Sequence, residues 1–238
     1  MKSRSGIFIV AEAGVNHNGS LKRALKLIDA AVAAGADAVK FQTFKSEKVI
    51  SRSAPKANYQ IRRTGPSESQ LDMVRRLELS DGDHRRLATH CRKRGIMFLS
   101  TPFDEASLRF LAYDLKIPYL KIPSGEITNA PLLLQFARTG RPLVLSTGMS
   151  TLDEVEEALG ALAYGMLRCG GIPTRSDFRA AFADRRARTL LLKRLTILHC
   201  TTEYPAPFSD VNLRAMDTLA SVFGLPVGCD DRLIESGN

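Results

Sequence analysis

Two lysines, three hydroxyl-rich turns and a few carboxylates hold most of the chemistry that this sequence offers. In Lys121-Ile-Pro-Ser-Gly-Glu126 a lysine, a serine and a glutamate fall within six residues, and Asn129 is placed to cap a following helix. An ammonium, a hydroxyl beside backbone amides and a carboxylate suit a small anionic substrate whose reaction moves protons. Lys40-Phe-Gln42 repeats the theme. On a strand, Lys40 and Gln42 share one face while Phe41 points to the other. Lys40 and Lys121 are suited to gripping a phosphate or carboxylate; alternatively one of them, desolvated, forms a Schiff base.

Ser100-Thr101-Pro-Phe-Asp104, Ser124-Gly125 and Ser146-Thr-Gly148 each precede a predicted helix. Each offers backbone amides and a helix N-terminus to an anion. Singly such turns are helix caps; three at one end of a sheet read as a phosphate site. Glu12 lies just past a strand that should be buried on both faces. Burial without a partner is costly, so it pairs with a cation or meets a ligand. Asn16, His17 and Asn18 before Gly19 are either turn chemistry or the edge of a site. His199 reads as a satisfied core histidine, and Tyr204 before Pro205 as a substrate-facing hydroxyl. The histidines at 17, 84, 90 and 199 have no paired metal-ligand spacing, so no metal ligand is assigned.

Short apolar runs alternate with amphipathic ones, and the elements that must position these groups follow from that rhythm. Strands are expected at 7–13, 38–43, 97–101, 119–123, 143–147, 196–201 and 226–229. Helices are expected at 21–34 (Ser20 cap, Gly35 stop), 81–94, 105–114, 131–138, 152–163 and 212–223. Thr151 and Glu154 make a capping box for the fifth. Seven strands mostly separated by helices imply a parallel sheet with right-handed crossovers. Nearly every strand end bears a polar residue, which favours an α/β TIM (β/α)8-type barrel over a doubly wound sheet. Only seven strands are countable, so the expectation is a single domain, 1–238, truncated after the seventh strand. Two stretches interrupt the rhythm. Residues 44–79 read as a long polar loop with a short helix, and 165–194 as a basic excursion.

The excursion accounts for most of the net charge of +9, with eight Arg or Lys against two acids. Basicity confined to one segment, without reader motifs or interleaved aromatics, argues against a nucleic-acid partner. No apolar run approaches the ~20 residues that span a bilayer, and no signal peptide is recognisable. The four scattered cysteines read as reduced thiols of a cytoplasmic protein.

Taken in order, Ala11-Glu-Ala-Gly with Asn16-His-Asn-Gly19, Lys40-Phe-Gln42, Ser100-Thr-Pro-Phe-Asp104, Lys121-Ile-Pro-Ser-Gly-Glu126, Ser146-Thr-Gly-Met149 and His199-Cys-Thr-Thr-Glu-Tyr-Pro205 resemble the N-acetylneuraminate (sialic acid) synthase family. That family includes legionaminate and pseudaminate synthases. The resemblance implies a (β/α)8 barrel that condenses phosphoenolpyruvate with an N-acetylated hexosamine such as N-acetylmannosamine, releasing phosphate and forming a nine-carbon sialic-type acid. It implies a divalent metal, manganese or magnesium, and a homodimer. It assigns Lys40, Thr101, Lys121, Ser124 and Ser146 to phosphoenolpyruvate, and Glu12, Gln42, Glu126 and Tyr204 to the sugar or the attacking water. It also disfavours the Schiff base.

Three departures qualify these expectations. Where the family pattern reads Gly-Tyr-Ser-Asp-His-Thr, this chain has Gly228-Cys-Asp-Asp-Arg-Leu233. Asp231 matches the pattern's aspartate, but Arg232 stands where the resemblance puts a metal-binding histidine. The family's eighth strand and its C-terminal antifreeze-like domain lie outside this sequence, so a separate C-terminal piece is an alternative partner to a second copy. The alternatives to the synthase are a non-catalytic relative that binds an anion, and a lyase using Lys121 or Lys40.

Overall fold

The computed structural model describes residues 6–55, 68–201 and 206–230. The chain divides into two compact units, Met1–Ile117 and Pro118–Asn238. The first contains β1 (Val10–Gly14), α1 (Leu21–Ala33), β2 (Ala38–Thr43), α2 (Ser46–Val49), α3 (Gln70–Arg75), α4 (Asp81–Arg94), β3 (Met97–Pro102) and α5 (Glu105–Arg109). A π-helical turn, Phe110–Asp114, continues α5. Its three strands form a parallel sheet in the order β1-β2-β3. The second unit contains β4 (Leu120–Ile122), α6 (Ala130–Arg138), β5 (Leu143–Ser146), α7 (Leu152–Met166), α8 (Arg175–Ala183), α9 (Arg185–Arg194), β6 (Leu195–His199), α10 (Ala215–Phe223) and β7 (Val227–Cys229). Its sheet is also parallel, in the order β4-β5-β6-β7. No helix among the described residues is long and apolar enough to cross a membrane.

Local chemistry sets most of the element ends. Ser20 accepts the Arg23 amide at 3.3 Å and starts α1, which turns Ala24, Ile28 and Ala31 into the core. Ser80 and Asp83 form a reciprocal capping box on α4, and Gly95 ends it in the left-handed conformation, φ 71°. The first strand begins later than the apolar pattern predicts. Ile7 is 73% exposed, and the Ile9 amide donates to the Asp37 carboxylate at 2.8 Å instead of joining the ladder. Inside the sheet, Phe41 is fully buried and stacks on Phe98 with centroids 5.8 Å apart.

The basic excursion turns out to be regular structure. Thr174 and Asp177 make a capping box for α8, and Asp184 accepts the Arg186 and Ala187 amides to start α9. These helices have a packing reason. From Ala158 to Met166 every residue of α7 is buried, so that helix has no solvent face over its last turns. It packs against both α6 and α8. The arginines stay at the rim, with Arg188 over the Phe182 ring at 4.9 Å.

Contact between α7 and α8 is close enough to exclude a side chain at Gly160. A Cβ there would lie 2.7 Å from the Phe178 carbonyl oxygen and 3.0 Å from its carbon. Gly160→Ala is therefore expected to destabilise the chain by about 2 kcal/mol through overpacking, despite alanine's better helix propensity. Gly82→Ala in α4 would meet only the Ser80 hydroxyl, at 3.6 Å. That variant should gain about 0.5–1 kcal/mol. Urea unfolding of both checks the contrast; equal effects would refute the close approach.

Candidate functional site

Each sheet gathers polar side chains at the C-terminal ends of its strands. In the first unit the parallel register sets Glu12 directly opposite Lys40, and Gln42 opposite Thr101. The expected partner of Glu12 is therefore Lys40: its Oε2 meets the lysine ammonium in an ion pair whose side chains are 21% and 12% exposed. Gln42 lies on the same strand face, two residues on, and a Cβ on Gly14 would touch both Glu12 Oε1 (3.0 Å) and Gln42 Nε2 (3.9 Å).

His17 lies by the other face of β2, with its ring 6.2 Å from that of Phe41. Its Nδ1 accepts the Gly19 amide at 3.0 Å, so the ring proton is on Nε2. Burial, and then the neighbouring His84, push its pKa down to about 4. The imidazole is thus a neutral donor at pH 7. Neither His17 Nε2 nor Thr101 Oγ1 has a hydrogen-bond partner among the described residues, although both are buried. Such groups cost about 1–3 kcal/mol each when unsatisfied, and a ligand or a water would satisfy them.

The same unit holds a buried polar chain. Ser100 Oγ and Thr43 Oγ1 are 2.7 Å apart, and His84 Nε2 is 3.0 Å from Thr43 Oγ1. His84 Nδ1 lies 3.0 Å from the Ser80 carbonyl oxygen and Nε2 3.3 Å from that of Gln42, so the ring is tied to two backbone carbonyls as well as to Thr43. The helix after β3 is capped by its own turn. Asp104 accepts the Ser107 amide at 2.9 Å and fills its own helix N-terminus with a carboxylate.

In the second unit Lys121 projects from β4, Ser124 from the following turn and Ser146 from the end of β5. Asp230, one residue beyond β7, joins two of them. Its Oδ2 lies 2.8 Å from Lys121 Nζ and accepts the Ser146 hydroxyl at 2.7 Å. Ser124 Oγ accepts the Gly148 amide at 3.2 Å and is 3.3 Å from Cys200 Sγ. Position 148 has room only for glycine, because a Cβ would meet Cys200 Sγ at 2.9 Å and Ser124 Oγ at 3.1 Å. Glu126 turns along its own loop and accepts from Asn129 Nδ2 at 2.7 Å, while Asn129 Oδ1 caps α6 by accepting the Leu132 amide. His199 is a satisfied histidine, donating from Nε2 to the Val211 carbonyl at 2.6 Å. Tyr204 and Asp231 lie outside the described residues.

An ammonium and a hydroxyl converging on one carboxylate oxygen form an anion-binding pair, and the first unit's lysine is likewise held by a carboxylate. A profile of the NeuB family matches residues 27–235. The chain belongs to the NeuB family. It is 48% identical over 223 residues to the N,N'-diacetyllegionaminic acid synthase of Campylobacter jejuni, covering 94% of this chain and 60% of that protein. It is 45% identical to the Legionella pneumophila protein of the same name, covering 95% of this chain and 58% of that one. Among solved structures, the N-acetylneuraminic acid (sialic acid) synthetase of Leptospira borgpetersenii, crystallised with citrate, superposes with a TM-score of 0.71 at 30% identity. That superposition covers 95% of this chain and 65% of that one. The chain thus spans about 60% of the length of the curated relatives it matches.

The divalent metal implied by the resemblance finds no donor set among the described residues of this NeuB-family chain. No three His, Cys, Asp or Glu side chains group there, and Glu12 and Asp230 each face an ammonium. Sequence reasoning names Lys121 and Ser146 but misses Asp230, which it passes over between Cys229 and Asp231. Its only signal is position: it follows β7 where the other strand ends carry polar residues.

Proposed function

We propose that the chain is the (β/α)8-type barrel domain of a sialic-acid-type synthase. It condenses phosphoenolpyruvate with an N-acetylated hexosamine and releases phosphate. The observation that carries this reading is the convergence of Lys121 and Ser146 on a single carboxylate oxygen, in a chain of the NeuB family. Parallel strands in chain order in both sheets, and the likeness to the Leptospira synthetase, support the barrel. A single domain and the homodimer implied by the resemblance are parts of the same reading.

In this reading Lys121, Ser124 and Ser146 hold the acidic ends of phosphoenolpyruvate, and the family pattern gives Lys40 and Thr101 the same task. The enol carbon attacks the open-chain aldehyde carbon, and the aldehyde oxygen takes up a proton. Water then adds to the cationic carbon and loses a proton, which Glu12 or Glu126 accepts. The bond between that carbon and the phosphate oxygen breaks as the new hydroxyl becomes the ketone, and phosphate departs with the hydroxyl's proton. The family pattern assigns Gln42, Tyr204 and Asp231 to the sugar or the water. A lysine imine fits poorly, because an ammonium paired with a carboxylate is not the free amine that a Schiff base needs.

The test is phosphate release from phosphoenolpyruvate with N-acetylmannosamine, and with an N,N'-diacetylated hexosamine, each with and without Mn²⁺. Turnover is expected, and Lys121→Ala should lower kcat/KM by about 100-fold, or ~2.7 kcal/mol. Phosphoenolpyruvate binding without turnover would leave an anion-binding relative instead. A lysine adduct trapped by borohydride would replace the synthase by the lyase.

A further inference from the structure

We propose that Asp230 is a resident anion of the second unit's cradle, occupying Lys121 and Ser146 until an anionic ligand displaces it. The inference rests on the reading of Lys121 and Ser146 as an anion-binding pair, and adds how that pair is kept when empty.

The geometry is that of a bound ligand. One oxygen, Asp230 Oδ2, takes both the ammonium at 2.8 Å and the hydroxyl at 2.7 Å. Those are the lengths of charge-assisted bonds to a carboxylate or phosphate oxygen. The recognised group is therefore chemically equivalent to the acidic ends of the substrate, and both cannot hold the same donors at once.

Backbone anchoring differs between the two sides. Lys121 lies within β4, and Ser146 is the last residue of β5, paired in register with Leu198. Both are buried. Asp230 stands one residue past the end of β7, with its amide donating to the His199 carbonyl at 2.8 Å. Its side chain is the more exposed member of the ion pair, 28% against 9% for Lys121. Receptor groups are thus set within the sheet, while the carboxylate comes from a residue one position past a strand's end and is 28% exposed. A side chain so placed can rotate out with little cost to the ladder, which is what a displaceable occupant requires.

Two consequences follow. Empty, the cradle needs no outside counter-ion, because Asp230 compensates the buried ammonium and prevents the cost of leaving it unpaired. Loaded, it binds its ligand more weakly than the bare donors would, because the ligand must also release Asp230.

Calorimetric titration of the full chain with phosphoenolpyruvate, and separately with inorganic phosphate, tests this. Asp230→Asn keeps an oxygen for the Ser146 hydroxyl but removes the charge; Asp230→Ala removes the occupant. Both should bind phosphoenolpyruvate about tenfold more tightly than wild type, a gain of ~1.4 kcal/mol. If Asp230→Ala fails to fold by circular dichroism, Asp230→Asn alone carries the comparison. In a Lys121→Ala background the gain should vanish, since there is no ammonium left to release. Equal or weaker binding by the Asp230 variants, with Lys121→Ala weakening binding as expected, overturns the resident anion and leaves the cradle standing. A gain that persists without Lys121 also overturns it, since the effect would then be a diffuse field. Unchanged binding in Lys121→Ala itself overturns the cradle, and the resident anion with it.

Discussion

Lys40→Met is expected to destabilise the chain by about 3 kcal/mol, and the double variant Lys40→Met/Glu12→Gln by only ~1 kcal/mol. The asymmetry comes from where the pair sits. Glu12 and Lys40 are cross-strand partners in β1 and β2, with side chains 21% and 12% exposed. Removing the lysine leaves a carboxylate in a largely buried place with its cation gone, and that orphaned charge dominates the cost. Removing both charges abolishes the pair's attraction but also its desolvation penalty, so most of the loss is recovered. Urea unfolding of wild type, both single variants and the double variant gives the coupling directly. Additive effects would mean that the two groups do not act as a pair. The double variant, stable as it should be, is expected to bind phosphoenolpyruvate less well if Lys40 has the role proposed for it.

Stability should fall by about 2 kcal/mol for His17 alone as the pH drops from 7 to 5. His17 is held neutral in the fold with its pKa lowered to about 4 by burial and by His84, whereas in the unfolded chain it titrates near the ordinary histidine value. Between those two values the unfolded chain binds the extra proton. Stability from this residue is therefore complete above pH 6.5 and is lost progressively down to about pH 4, for a full loss of ~3 kcal/mol. His84, lowered chiefly by its burial, pushes in the same direction. Melts in urea at pH 7 and pH 5 measure the slope, and His17→Gln should flatten it by about its own share. A wild-type stability that does not change between these pH values would contradict the buried neutral imidazole.

Helix ends are legible in the sequence because caps are local chemistry. Ser20, Gly35, Ser80, Gly95, Asn129 and Thr151 act within a few residues of their own positions, and the structure puts helix ends at or beside all of them. The helices of 165–194 are legible by the same rule, through Thr174 with Asp177 and through Asp184, but a reading by charge passes over them. The fuller clue is α7, whose Ala158–Met166 segment has no polar face and so requires a cover on each side. The site divides similarly. Residue types at strand ends point to Lys40, Gln42, Thr101, Lys121 and Ser146. Partnership does not follow from type: Glu12 finds Lys40 through strand register, and Lys121 finds Asp230 across 109 positions of chain, beyond the reach of any local pattern. Asp104 shows the converse, since a turn that reads as an anion cradle contains the carboxylate that fills it.

The order of the strands also has a kinetic meaning. Among the described residues, no strand of either sheet pairs with any but the next or the previous strand in the chain. Each pairing within these two sheets therefore closes a single crossover. Loop-closure entropy stays modest at each step, and folding rates track the mean separation of contacting residues. Each sheet can grow by one strand and its helices at a time, in the order of synthesis. The crossover between β5 and β6, which includes α7, α8 and α9, is the longest single step that the four-stranded sheet has to take.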